Sequence, residues 1–199
     1  MSERNPVIEM YLQSVRTICP NLTDVEMEGI ARIASVSEIK KKDFFVESGE
    51  IQKTIGFIAK GLIRTYYIDD LGNERNVGFF SEEEYATHYP AFISKKPSKY
   101  SIQCLEATTF VCLTLEDLQQ LYRDFPNIER YGRLIAEDVL IRQQARIESF
   151  VFQTAEERYL DFIQNHSKVF NRISLSHLCS YLGIERQSLT RIRQKLAYK

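Results

Sequence analysis

Histidine is scarce in this chain of 199 residues, occurring only at His88, His166 and His177. A metal-dependent barrel enzyme needs two or three histidines and a carboxylate around one ion. Only His88 lies in the β-rich part of the sequence, where it reads as a polar rim or core residue. The four cysteines, Cys19, Cys104, Cys112 and Cys179, are scattered and never paired as CxxC. They read as reduced, mostly buried thiols of a cytosolic protein, and the grouped ligands of an iron–sulfur cluster are missing. The same scarcity argues against a haem or redox sensor. No window approaches the roughly 20 apolar residues of a membrane span. The opening MSERNPVIEMYLQ lacks the cationic stretch and apolar run of a signal peptide. GxSxG, HExxH, P-loop and GxGxxG motifs are also absent. Glu82-Glu83-Glu84 reads as a solvated run rather than a catalytic carboxylate pair, because neighbouring side chains point different ways. An enzyme, a resident cofactor, a metal and a membrane are therefore not expected.

What is present is ordinary in amount and uneven in placement. Hydrophobic residues make up 44% and charged residues 27% of the sequence, as in a typical globular protein. Net charge is only −1, yet Thr154–Lys199 holds eight Lys or Arg against four Asp or Glu, leaving −5 elsewhere. An acidic body carrying a basic terminal module suits a tail that meets phosphate.

Apolar periodicity predicts helices over residues 7 to 35, with Thr23 or Asp24 as an N-cap. From Val36 to Leu115 the pattern changes to short β-rich runs broken at Gly49, Gly61 and Asp70-Leu71-Gly72-Asn73. Such spacing predicts an antiparallel sandwich or barrel, with a short helix within Glu82–Phe92. A helix opens at Leu115 and stops near Pro126. A long one follows from about Asn127 to Phe152, roughly 39 Å at 1.5 Å per residue. Ile128, Tyr131, Ile135, Val139, Arg142 and Arg146 share one side of it. That stripe is expected to pair with a second copy across a two-fold axis, in preference to packing along the barrel. The fold expected is therefore α+β in three parts. Residues 1–126 form a jelly-roll β-barrel sensor domain with flanking helices, 127–153 a dimerisation helix, and 154–199 a helix-turn-helix domain.

The last part carries the sharpest signal. In ISLSHLCSYLGIERQSLTRIRQKL, from Ile173 to Leu196, Leu175, Leu178 and Leu182 form one stripe. Leu189, Ile192 and Leu196 form a second. Cys179 supplies a small residue for a steep helix crossing, and Gly183 tolerates a left-handed turn. Opposite the second stripe lie Arg186, Gln187, Thr190, Arg191 and Gln194. Arginine pairs with guanine and glutamine with adenine through two hydrogen bonds each in the major groove. A helix-turn-helix with a reading face predicts binding to double-stranded DNA.

The order of parts resembles the cyclic-AMP receptor/FNR (Crp/Fnr) family of bacterial transcription regulators. Gly49-Glu50 ahead of IGFIAKGLIRTYYIDDLGNERNVGFF is similar to the family's β-region signature. GIERQSLTRIRQKL is similar to its recognition helix. The resemblance places base-reading positions on Arg186, Gln187 and Arg191 and a phosphate-contacting hydroxyl on Ser188. It further implies a homodimer on an inverted-repeat operator, a cytoplasmic location, and RNA polymerase as a further partner. The departures concern the ligand. Cyclic-AMP binders of the family carry FGE followed about ten residues later by Arg-Ser/Thr-Ala. Here the segment is EYATHYPAFISKKPSKYSIQCLE, with no FGE and with Ser98-Lys99 in place of the Arg-Ser pair. Losing a bidentate arginine and a ribose-binding carboxylate removes charge-assisted hydrogen bonds. An unidentified small-molecule effector, not cyclic AMP, is therefore expected near Tyr85, His88, Ser98, Lys99 and Tyr100. Two alternatives stay open: a cyclic-nucleotide-responsive regulator, and a ligand-binding module acting through protein partners without DNA. The sequence ends three residues past Leu196, so a β-wing after the recognition helix is expected to be missing. Glu185 stands where the family often has a hydroxyl cap; its charge suits the helix dipole.

Overall fold

The computed structural model describes residues 5–197; the outermost residues of the expected terminal domains lie outside it. Helix α1 (Pro6–Ile18) starts at Asn5, whose side chain accepts from the Val7 N–H at 2.9 Å, with proline filling the first helical position. Helix α2 (Asp24–Ile33) starts in a capping box. The Thr23 hydroxyl accepts from the Glu26 N–H, and the Glu26 carboxylate accepts from the Thr23 N–H.

Eight strands follow: β1 (Ser35–Ile39), β2 (Phe44–Val46), β3 (Thr54–Lys60), β4 (Ile63–Ile68), β5 (Glu74–Phe80), β6 (Tyr85–Ala86), β7 (Ser101–Cys104) and β8 (Thr108–Thr114). They form two antiparallel sheets, ordered β1-β8-β3-β6 and β2-β7-β4-β5. The two-residue period of a strand sorts their side chains. Ile58 of β3 and Phe110 and Cys112 of β8 point between the sheets, where they meet Val46, Ile63 and Ile102. Ile55, Phe57, Val111 and Leu113 point outward from the first sheet and are covered by Tyr11, Leu12 and Val15 of α1. Gly61 (φ +118°) makes the β3–β4 turn, where a Cβ would come within 2.5 Å of the Thr108 hydroxyl. Only glycine takes both that angle and that approach.

The helix expected within Glu82–Phe92 begins only at Tyr89: α3 spans Tyr89–Ser94. Glu83 sits at a φ of +71° in a turn, where the Glu84 N–H donates to the Ser81 carbonyl, and β6 intervenes. Three acidic residues in a row offer no apolar face to hold a helix down, so the turn wins.

Helix α4 (Leu115–Asp124) is capped by Thr114, and α5 (Pro126–Phe152) runs for 27 residues. A second capping box, Thr154 with Glu157, starts α6 (Ala155–Asn165). Then come α7 (Ser167–Phe170), α8 (Leu175–Leu182) and α9 (Arg186–Ala197). Gly183 closes α8 in the left-handed conformation at φ 67° and ψ 37°. Tyr159, Phe162, Leu178, Leu182 and Leu189 form the core of this terminal domain. Leu175, although on the expected stripe, stays exposed at its edge.

The terminal domain rests on the second sheet. Phe79 of β5 and Leu62 join its core. Phe79 meets the rings of Tyr181 at 5.4 Å and Phe162 at 6.3 Å. The Asn76 N–H donates to the Ser180 hydroxyl, which in turn donates to the Glu74 carbonyl, both at 2.9 Å. At the rim, the Arg172 guanidinium donates to both Glu82 and Glu106 over 2.7–3.0 Å. The reading of Glu82–Glu84 as merely solvated is thereby corrected. Glu82 also accepts from the Gly61 N–H, and Glu84 pairs with Arg142 of α5 at 2.5 Å. Arg172 and the Gly61 N–H pull the Glu82 carboxyl down to about 2 against the cost of its partial burial.

Candidate nucleic-acid interface and sensor region

Leu189 anchors α9 in the domain core, with Ile192 and Leu196 half-buried beside it. Arg186, Gln187, Thr190, Arg191 and Gln194 are exposed, while Ser188 is half-buried. It is α8 that touches the barrel, through Ser180 and His177, and the polar stripe of α9 is left exposed. Among the described residues, Arg186, Arg191 and Arg193 form no ion pair, whereas Lys195 is held by Glu156 at 2.6 Å. The Thr190 hydroxyl donates to the Arg186 carbonyl and keeps only acceptor capacity toward a ligand. This leaves two unpartnered guanidiniums on one rigid helix face, a surface suited to phosphate and guanine.

Helix α5 departs from the expected pairing stripe. Ile128 and Tyr131 are 1% and 6% exposed in the chain's own core, and Ile135 packs against it. Val139 is half-buried. Arg142 is bound by Glu84 and Asp138. Arg146 lies over the Tyr181 ring, 3.6 Å from its centre, and donates to the Tyr181 carbonyl. That stripe is spent within the chain. The unpartnered apolar side chains lie on the opposite face: Leu140, Ile147 and Val151, 68%, 58% and 66% exposed, with Ile141 beside them. Their spacing of seven and four residues makes one seam.

The five residues of the expected effector pocket fall into two places. His88, Ser98 and Tyr100 meet: His88 Nδ1 is 3.0 Å from the Ser98 hydroxyl, and the His88 and Tyr100 rings pack edge-on at 4.8 Å. Ser98 Oγ donates to the Tyr100 carbonyl at 2.7 Å and accepts from the Tyr100 N–H at 3.1 Å. Its single proton is thus used, which assigns the Nδ1 proton to His88 and fills the second lone pair of the oxygen. Burial, and then Lys99, hold the His88 imidazole below its usual range. Lys99 itself is exposed, and Tyr85 sits elsewhere, against Phe57 and the Tyr131 hydroxyl. At the position where the family holds a cyclic phosphate, this chain offers a saturated serine. The buried arginine of the barrel, Arg64, is committed to Glu74 at 2.5 Å and to Gln103. The residues present do not fit a cyclic nucleotide. Two structural features escaped sequence reading: the Arg172 clamp, whose partners lie 66 and 90 positions away, and the exposed apolar seam on the far side of α5.

Among the described residues, no group of His, Cys, Asp and Glu is placed to hold a metal, and no helix is long and apolar enough to cross a membrane. Comparison with known proteins agrees with the architecture. Residues 36–125 match the family model of the cyclic nucleotide-binding domain. The transcriptional activator protein Anr of Pseudomonas aeruginosa is 25% identical over 185 residues, covering 86% of this chain and 75% of that protein. FixK2 from Bradyrhizobium japonicum has the same fold, with a TM-score of 0.73 over 83% of this chain and 85% of its own, at 14% identity. The global regulator CLP of Xanthomonas campestris superposes with a TM-score of 0.68 over 88% and 92% of the two chains, at 16% identity. A cyclic nucleotide-binding domain match over the β-roll, with a long helix and a terminal helix-turn-helix behind it, thus gives this chain the fold of FixK2 and CLP.

Proposed function

We propose that the chain is a homodimeric, sequence-specific DNA-binding protein rather than an enzyme. The observation that carries this reading is the outward stripe of α9, with Arg186 and Arg191 unpaired on a helix fixed by Leu189. In the reading pose Arg186, Gln187 and Arg191 meet base edges, while Ser188, Thr190 and Gln194 lie toward the backbone. Two copies joined along Leu140, Ile147 and Val151 would place their recognition helices in successive major grooves about 34 Å apart, matching an inverted repeat. Contact with RNA polymerase would then depend on where that repeat lies in a promoter. A cytoplasmic location goes with DNA as the partner.

The test is selection of duplexes from a random DNA library with purified full-length chain and no added effector. Recovery of an inverted repeat that the Arg186→Ala protein fails to select supports the reading; recovery of no common sequence overturns it. On the selected operator, Arg191→Ala is expected to lose about 1–3 kcal/mol of specific affinity and to relax preference at one base pair. A fluorescence-anisotropy titration against all four substitutions at each position measures both. Ile147→Glu places a charge on the seam. It is expected to leave a monomer by analytical ultracentrifugation and to weaken operator binding at least tenfold, because half-sites are then bound one at a time.

A further inference from the structure

Outside the barrel, between the first sheet and helices α1, α3, α4 and α5, lies a cavity of about 180 Å³. It is separate from the His88–Ser98–Tyr100 cluster and from the α9 face. We propose that this cavity binds a neutral single-ring aromatic molecule carrying one hydroxyl group. As the effector site of the regulator it deepens the DNA-binding reading and rests on it; as a binding site it stands alone.

Size sets the first limit, since a cavity of about 150 Å³ walled by apolar side chains is enough to take up benzene. The walls set the second. Ile55, Phe92, Leu113, Leu118 and Ile135 are apolar, and among the described residues no charged one lines the space, so an anion or cation would lose its hydration without a partner. Hydrogen-bond bookkeeping sets the third. Tyr85 and Tyr131, both in the wall, share a hydrogen bond between their hydroxyls, and Tyr11 lies in the same wall. Two hydroxyls that share one bond keep one proton and acceptor lone pairs for a guest. A guest that complements this pair brings one hydroxyl, which both donates and accepts. Burial pushes the Tyr11 hydroxyl up to about 12 and raises Tyr85 and Tyr131 well above the tyrosine range, so the cluster stays neutral. Ile93 and Gln119 stand exposed at the rim and mark the way in.

The far wall is α5 itself. Tyr131, Gly132 and Ile135 come from its first turns, and Gly132 is a notch in which a Cβ would collide with the Tyr122 hydroxyl. A guest that moves Tyr122 or Tyr131 therefore moves the seating of the helix that leads to the DNA-reading domain.

The experiment uses the full chain and two probes, 4-fluorophenol and fluorobenzene, followed by ¹⁹F NMR. The 4-fluorophenol resonance is expected to broaden and shift with protein, with fluorobenzene binding about tenfold more weakly. Ile135→Phe and, independently, Leu118→Phe fill the space; either variant that melts cooperatively should restore the free line. Tyr131→Phe should narrow the gap between the probes. No broadening at millimolar probe, or equal broadening with both filled variants, overturns the site. Equal affinity of the two probes overturns the hydroxyl requirement. Operator affinity is measured in parallel, with and without 4-fluorophenol. Binding that leaves it unchanged overturns the effector role alone, whereas failure of the operator selection itself would fall on the DNA reading.

Discussion

Phe79→Ala is expected to unseat the terminal domain from the barrel. Phe79 leaves β5 on the outer face of the second sheet, yet is only 6% exposed, because its ring fills a gap among Phe162, His177 and Tyr181. Removing a buried phenylalanine ring costs about 3–5 kcal/mol when the surroundings collapse only in part. Here the loss falls on the contact between two bodies that have cores of their own. Calorimetry should therefore show one transition becoming two, the terminal domain melting first. Amide exchange should accelerate in α8 around Ser180, whose hydroxyl is tied to Asn76 and Glu74. Phe110→Ala, inside the barrel, is the control: it should lower the barrel transition and leave the order of events alone. A single unsplit transition for Phe79→Ala would show that docking does not depend on this ring.

Arg172→Ala should have the next largest effect, by a different physics. Arg172 pairs with both Glu82 and Glu106, which otherwise face one another across the rim. Truncating it removes four charge-assisted hydrogen bonds and leaves two carboxylates in mutual repulsion. Because the partners are about one-third exposed, water screens part of this, and the loss is about 1–3 kcal/mol. Urea titration at pH 7 measures it, and the double change Glu82→Gln with Glu106→Gln in the Arg172→Ala background should recover part of it. The clamp also fixes a pH dependence. The Glu82 carboxyl is lower in the folded protein, about 2, than its ordinary 4.5. Its stabilising contribution is complete above pH 4.5 and is lost as pH falls toward 2. Wild type and Arg172→Ala should therefore converge in stability as the solution is acidified through that window.

The parts of this molecule that were legible in the sequence are those settled over short distances. Thr23 with Glu26, Thr154 with Glu157, the glycine at 183 and the alternating strands of β3 and β8 all declare themselves within seven residues. The outer polar stripe of α9 was legible for the same reason, since one helix sets both its inner and outer stripes. The exposed apolar seam of α5 was not. Apolar periodicity shows that Ile128, Tyr131 and Ile135 will be buried, but burial against one's own barrel and burial against a second copy leave the same pattern. The effector region misled in another way. His88, Ser98 and Tyr100 are polar residues at a pocket-forming position, yet they satisfy each other, and such internal saturation is visible only in three dimensions. The cavity wall draws Tyr11, Tyr85 and Tyr131 from 120 residues of chain, beyond the reach of any motif.

The length of α5 has a mechanical meaning. Its first turns are gripped by Ile128 and Tyr131 and its distal part is fastened to the terminal domain by Arg146, so it acts as a rod about 40 Å long. Two degrees of tilt at Tyr131 carry Arg146, about 22 Å further along the helix, sideways by roughly 0.8 Å. A hydrogen bond near 2.9 Å does not survive a stretch of that size. The rod is thus a gear with a high ratio: a rearrangement of a few tenths of an ångström beside Tyr131, too small to register as a change of shape there, becomes the difference between held and released at Tyr181.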